Sequence, residues 1–197
     1  METAPLSGDP EIRQALRAYL ARRDVTGTPA VIEELGLCQG QVRADVVVVG
    51  ELLHAYEIKS DRDSLTRLAH QAEIYGQTMD RVTLVAGNRH MAEALRVVPR
   101  WWGAIRADET ANGLRLTELR KGRKNTNRDQ RALVELLWHS DALRFLEERG
   151  MARGLKGKPR RYVWDRICAE VSLDEIAAAV RRHLVGRIQP ECSQQCA

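Results

Sequence analysis

Hydrophobic and polar positions recur with two different periods along this 197-residue chain, and the switches between them mark out its elements. Over residues 11–22 the apolar positions Ile12, Leu16, Tyr19 and Leu20 stand at helical spacing, and Pro10 sits where a first helical turn tolerates it. A second, short helix is expected over residues 30–35, ending near Gly36. Residues 43–49 are β-branched and nearly continuous, as in a strand buried on both faces. Residues 53–59 alternate, with Leu53, Ala55 and Glu57 on one face and His54, Tyr56 and Ile58 on the other, so a hairpin through residues 50–52 is expected. Asp63 or Ser64 can cap the next helix, whose apolar stripe is Leu65, Leu68, Ala72, Tyr75 and Met79.

A buried strand over residues 82–86, a turn at Gly87 and Asn88, and a short helix over residues 91–96 follow. Residues 101–105 and 114–119 read as a late strand pair joined through Asn112-Gly113. The order helix-strand-strand-helix-strand-helix-strand-strand predicts an α/β fold, a mixed sheet flanked by helices. From Lys121 the pattern is helical: residues 129–138, 140–149 closed by Gly150, 160–171, and a last helix opened by Ser172 with Glu175 in a capping box and running to Leu184. The domains read as a core over residues 1–120, a basic linker over 121–128, a helical module over 129–188 and a disordered tail over 189–197.

Composition narrows the picture. An apolar fraction of 44% excludes fibrous and wholly disordered classes, and apolar runs as short as Val46-Val47-Val48-Val49 do not span a bilayer. The acidic N-terminus lacks a secretory pattern, so a soluble cytoplasmic protein without a membrane partner is expected. Cys38, Cys168, Cys192 and Cys196 lack zinc-ligand spacing and read as free thiols. Charge is unevenly spread: residues 120–166 hold 14 Lys and Arg against 6 acidic residues, whereas residues 1–119 hold 14 against 17. Of five lysines, only Lys59 lies in the first 119 residues.

Asp45 on one strand and Glu57-Ile58-Lys59 on the next bring two carboxylates and an ammonium to one region of a hairpin. Such a set suits a hard divalent cation such as Mg²⁺. An acid-x-Lys tripeptide arises about 0.7 times by chance in such a chain, so context must discriminate. Gln71 and Tyr75 supply it, as a Gln-x3-Tyr pair on one face of the following helix, expected only about 0.2 times. His54, His70 and His90 have no ligand spacing.

These motifs resemble the PD-(D/E)XK nuclease superfamily, and the Gln-x3-Tyr resembles the extra motif of its RecB-like branch. Residues 31–37, 43–45, 56–65, Arg67-Leu68, Gln71, Tyr75, 82–85, His90 and 99–103 together are similar to small uncharacterised bacterial members, with Ala44 where the proline of the motif would stand. The resemblance implies a restriction-endonuclease-like core. It implies Asp45, Glu57 and the Ile58 carbonyl as metal ligands, Glu34 (with Glu33 as rival) as a further acidic ligand, Lys59 as catalytic lysine, and Gln71 and Tyr75 as substrate-orienting. The implied activity is a Mg²⁺-dependent deoxyribonuclease, an endonuclease ahead of an exonuclease, with Mn²⁺ able to substitute and a setting in DNA repair, mobile elements or phage defence. Residues 142–167 resemble a helix–extended loop–helix element of the SAP type. Lys121, Arg123, Lys124, Lys156, Lys158, Arg160 and Arg161 are the expected nucleic-acid contacts, to DNA with RNA still open, and a homodimer is compatible with the sequence. The rival reading is a non-catalytic nucleic-acid-binding or assembly factor that retains the fold.

Overall fold

The computed structural model describes residues 8–23, 30–111 and 113–188. The expected tail over 189–197, with Cys192 and Cys196, lies outside them, as does Asn112. Cys38 and Cys168 are free thiols.

Six strands form one sheet in chain order: β1 (Ala30–Leu37), β2 (Val42–Val49), β3 (Leu53–Lys59), β4 (Arg81–Gly87), β5 (Gly103–Thr110) and β6 (Gly113–Arg120). The first three form an antiparallel meander. β4 and β5 then add in parallel, through α2 (Leu68–Thr78) and α3 (Asn88–Val97), and β6 returns antiparallel. The protein is thus a mixed α/β fold with helices on its sheet, as the hydrophobic pattern requires. α1 (Asp9–Arg23) precedes the sheet, and α4 (Gln130–Val134), α5 (His139–Glu147), α6 (Arg160–Glu170) and α7 (Leu173–Ile188) follow it. Among the described residues no helix is long and apolar enough to cross a membrane.

The short helix expected over residues 30–35 is instead strand β1. Val31 and Ile32 are β-branched, and the segment pairs with β2 from Ala30↔Val49 to Leu37↔Val42, which outweighs the helical propensity of Glu33, Glu34 and Leu35. Glu34 therefore lies on a strand, where it interrupts the pairing with a φ of 56°. α2 begins at Leu68, later than a cap at Asp63 or Ser64 would place it, because the Asp63 carboxylate accepts the Ser60 N–H instead. The expected capping box is realised at α7: Glu175 Oε2 accepts from Ser172 N–H, and Ser172 Oγ from Glu175 N–H.

Two hydrophobic clusters sandwich the sheet. Ile12 and Leu16 of α1 cover Val46, Tyr56, Ile58, Val85, Ile105 and Ala107 on one side. The larger cluster, on the other side, joins Leu53, Ala55 and Leu84 of the sheet to Tyr75, Leu133, Phe145, Ile167 and Leu184 of the helices, so α2 through α7 share one core with the strands.

Residues 121–128, expected as an exposed basic linker, are strapped to this core. Buried Asn125 donates its Nδ2 to the Gly76 and Met79 carbonyls, and Arg128 pairs with buried Asp80 at 2.8 Å. The strap crosses β5 so closely that a Cβ on Gly103 would come within 2.9 Å of the Gly122 nitrogen. No apolar residue was needed to anchor it, because backbone and amide hydrogen bonds do so.

Candidate functional site

Alternation along β3 sends Glu57 and Lys59 to the same side of the sheet, and α2 closes over them. Glu57 is fully buried and Lys59 nearly so. The Lys59 ammonium donates to Glu57 Oε1 at 2.6 Å, Gln71 Nε2 donates to the same oxygen at 2.6 Å, and the Tyr75 hydroxyl donates to Oε2 at 2.6 Å. Gln71 and Tyr75 converge because residues four apart stack on one helix face. Burial, and then the Glu57 charge beside it, hold the Tyr75 phenol far above its usual range, so it stays a donor. The Tyr75 and Trp102 rings meet nearly at right angles, with centroids 5.4 Å apart, which fixes the position of Tyr75.

Asp45 completes the cluster from β2. Its Oδ2 accepts the Ile58 N–H at 2.7 Å. Burial, and then the charge of Glu57, push its carboxyl up to about 7, while the Ile58 N–H and Lys59 pull the other way. Arg13, which periodicity alone did not single out, enters here. From α1 its guanidinium donates to the Asp45 carbonyl at 2.7 Å and to Glu34 Oε1 at 2.9 Å, and lies 3.6 Å from Asp45 Oδ1. Burial opposes its charge, but Asp9, Asp45 and Glu34 together more than offset this and hold it protonated. The only signal in the sequence was its place beside Ile12, one step from the buried stripe of α1. Glu34 itself is half exposed and also faces Arg43 at 3.7 Å, while Glu33 pairs with Arg17.

The structure thus brings together Asp45, Glu57, Lys59, Gln71 and Tyr75, with Glu34 joined only through Arg13. This donor set does not fit Mg²⁺ as placed. Both oxygens of Glu57 already accept from three side chains, Asp45 and Glu34 face a guanidinium, and the Ile58 group that touches Asp45 is its N–H rather than its carbonyl. Among the described residues no group of three or more His, Cys, Asp or Glu is placed to hold a metal ion. A network of this kind is closed in charge, although Gln71 Oε1 is buried without a partner, and desolvation makes it rigid.

The basic residues lie elsewhere and are all exposed. Lys121, Arg123 and Lys124 sit on the strap between β6 and α4. Lys156, Lys158, Arg160 and Arg161 sit on the α5–α6 loop and the start of α6. Among the described residues no hydrogen bond or ion pair joins the two groups. The loop is shaped by Gly154 and Gly157, both at a φ of 77°, and pinned by buried Leu155, whose N–H donates to the Ala152 carbonyl and whose own carbonyl accepts from Lys158. Arg160 lies over the Trp164 ring and reaches Gln39, and Arg161 lies over Tyr162.

Comparison with known proteins decides the family. A family model described as bacteriophage P4 protein cII matches residues 5–195. Protein cII of Enterobacteria phage P4 is 26% identical over 148 residues, which is 75% of this chain and 56% of that protein, so the chain spans about half the length of the curated relative it matches. No solved structure matches. The match overturns the resemblance to the PD-(D/E)XK superfamily, and with it the reading of the chain as a Mg²⁺-dependent deoxyribonuclease or any other hydrolase. The Asp45, Glu57-x-Lys59 and Gln71-x3-Tyr75 pattern is common chemistry of a buried ion-pair network, and short motifs of this kind do not by themselves fix a family. With its match running across almost the whole length, the chain belongs to the family of bacteriophage P4 protein cII.

Proposed function

We propose that the chain acts by binding nucleic acid without catalysis, as a regulatory or assembly factor would, with DNA as its partner. The observation that carries this reading is the α5–α6 loop. Lys156 and Lys158 stand exposed on an ordered, glycine-shaped loop and Arg161 on the first turn of α6, and among the described residues none of them has a carboxylate partner. Cations held in register and left unneutralised are what a phosphate backbone selects, and such contacts give affinity without sequence information. Lys121, Arg123 and Lys124, exposed on the strap, form a second basic group. In this reading the α/β half is a restriction-endonuclease-like scaffold, and its acidic cluster, compensated by Arg13 and Lys59 in place of a divalent cation, serves stability.

The test is fluorescence anisotropy of the purified chain with a labelled DNA duplex, the matching single strand and RNA, at several salt concentrations and without divalent metal. Duplex binding is expected. The double variant Lys156→Ala/Lys158→Ala should weaken it and lower the salt slope by about 2, one unit per lost phosphate contact. Absence of binding, or a double variant indistinguishable from the parent, overturns the proposal. Tighter binding to RNA reassigns the partner.

A further inference from the structure

Between α5 and the C-terminal half of α7 lies a groove of about 440 Å³, within the usual size of a small-ligand site. Its lining is chemically mixed in a specific way. Trp138, at the start of α5, is 56% exposed although the helices around it are well packed. Arg187 of α7 lies over its ring, 4.6 Å from the centroid. Arg182 and Arg144 add two more guanidinium groups, the latter paired with Asp141, and Glu148 is the remaining carboxylate of the lining. Among the described residues neither Arg182 nor Arg187 has a carboxylate partner.

His183 stands beside Trp138, with ring centroids 5.3 Å apart, and only 5% of its side chain is exposed. Its Nδ1 lies 3.1 Å from Asp141 Oδ2, which orients the ring and leaves Nε2 as the free nitrogen. That Nε2 is buried and has no hydrogen-bond partner. Burial, together with Arg187 and Arg144, lowers the pKa of the imidazole despite Asp141, so Nε2 presents a lone pair. A buried acceptor without a donor in a native fold calls for an explanation, and a ligand is one.

We propose that this groove binds one nucleotide unit, its base stacked on Trp138, its phosphate held by Arg182 and Arg187, and, with the side chains that cover it displaced, a base or sugar donor satisfying His183 Nε2. Each element answers one part of that ligand. An exposed tryptophan stacks on the π-face of any base, guanidinium groups match phosphate geometry, and a neutral imidazole accepts from an N–H or O–H. A bare phosphate would leave Trp138 and His183 unused, and an apolar ligand would strand the arginines. The nucleotide can be free or an unpaired unit of a strand. The groove is lined by none of Lys156, Lys158, Arg160 and Arg161, so the two binding activities can fail separately.

The experiment titrates the full chain with adenosine 5′-monophosphate, adenosine, inorganic phosphate and a short single-stranded oligonucleotide, read by calorimetry and tryptophan fluorescence. Nucleotide binding is expected at least tenfold tighter than adenosine or phosphate alone. It should weaken tenfold or more in Trp138→Ala and in Arg182→Gln, both at exposed positions, and in His183→Phe, but not in Lys156→Ala/Lys158→Ala. If only the oligonucleotide binds and Trp138→Ala weakens it, the proposal stands with a strand as the source. Phosphate binding as tightly as the nucleotide, no binding by either nucleotide form, or binding indifferent to both Trp138→Ala and Arg182→Gln overturns it. Circular dichroism on each variant confirms folding.

Discussion

The acidic cluster under α2 and the groove beside α7 are both built of charged side chains on a packed scaffold, and they differ in which charges are compensated. At Glu57, Lys59, Gln71 and Tyr75 fill both oxygens, and Arg13 comes from another helix to meet Asp45. At the groove a buried imidazole nitrogen has no partner, and two arginines are unneutralised among the described residues. The first is closed in charge, although its buried Gln71 Oε1 also lacks a partner, and the second leaves cations open. Convergence of reactive residue types therefore does not identify a site; spare charge capacity at an accessible surface does.

The comparison breaks most readily at Glu57. Glu57→Ala leaves a buried ammonium without its counter-charge and two donors without an acceptor, and urea unfolding should show a loss of about 3–5 kcal/mol. A loss below about 1 kcal/mol would show that the cluster does not stabilise the fold.

Asp45 sharpens the contrast through pH. Its folded-state pKa, about 7, lies above its ordinary 3.8, so its contribution favours folding fully below about 4 and vanishes as pH rises through 7. His54 works oppositely. Burial, then the charge of Arg81, depresses it from 6.5 to about 4, so its contribution is present above 6.5 and is lost as pH falls through 4. The two oppose each other over this window. Asp45→Asn should therefore give a protein whose stability rises with pH, its difference from the parent shifting in its favour by about 2–4 kcal/mol between pH 4 and pH 8. A pH profile parallel to the parent's would remove Asp45 from the closed network.

Arg13→Met tests the built-in cation. Thermal unfolding should show a loss of roughly 1–3 kcal/mol, and calorimetry should find tighter Mg²⁺ binding than in the parent, because Asp45 and Glu34 lose their guanidinium. Equal affinity for Mg²⁺ would mean that Arg13 does not occupy the place of a metal. The smallest effect is expected at Gly157, whose φ of 77° strains residues that carry an L side chain. Gly157→Ala should cost about 1 kcal/mol and weaken duplex DNA while leaving mononucleotide binding at the groove intact.

Much of this could be read along the chain. The alternation of residues 53–59 placed Glu57 and Lys59 on one face, and the four-residue spacing of Gln71 and Tyr75 put both on one face of α2, the face that docking then turns to Glu57. The Ser172–Glu175 capping box and the segregation of basic residues after Lys121 were equally plain. These are decided by neighbours within a few residues, through side-chain direction and local hydrogen bonds. Only the tertiary structure made residues 30–37 a strand, because the partner that stabilises it is β2. Only it strapped residues 121–128 to the core, set Arg13 against Asp45 from 32 residues away, and set His183 against Asp141. The sequence states which charges a chain carries and which face of an element they occupy. Whether a charge is compensated or left open depends on which distant element desolvates it and what donors that element brings, and no local pattern encodes that.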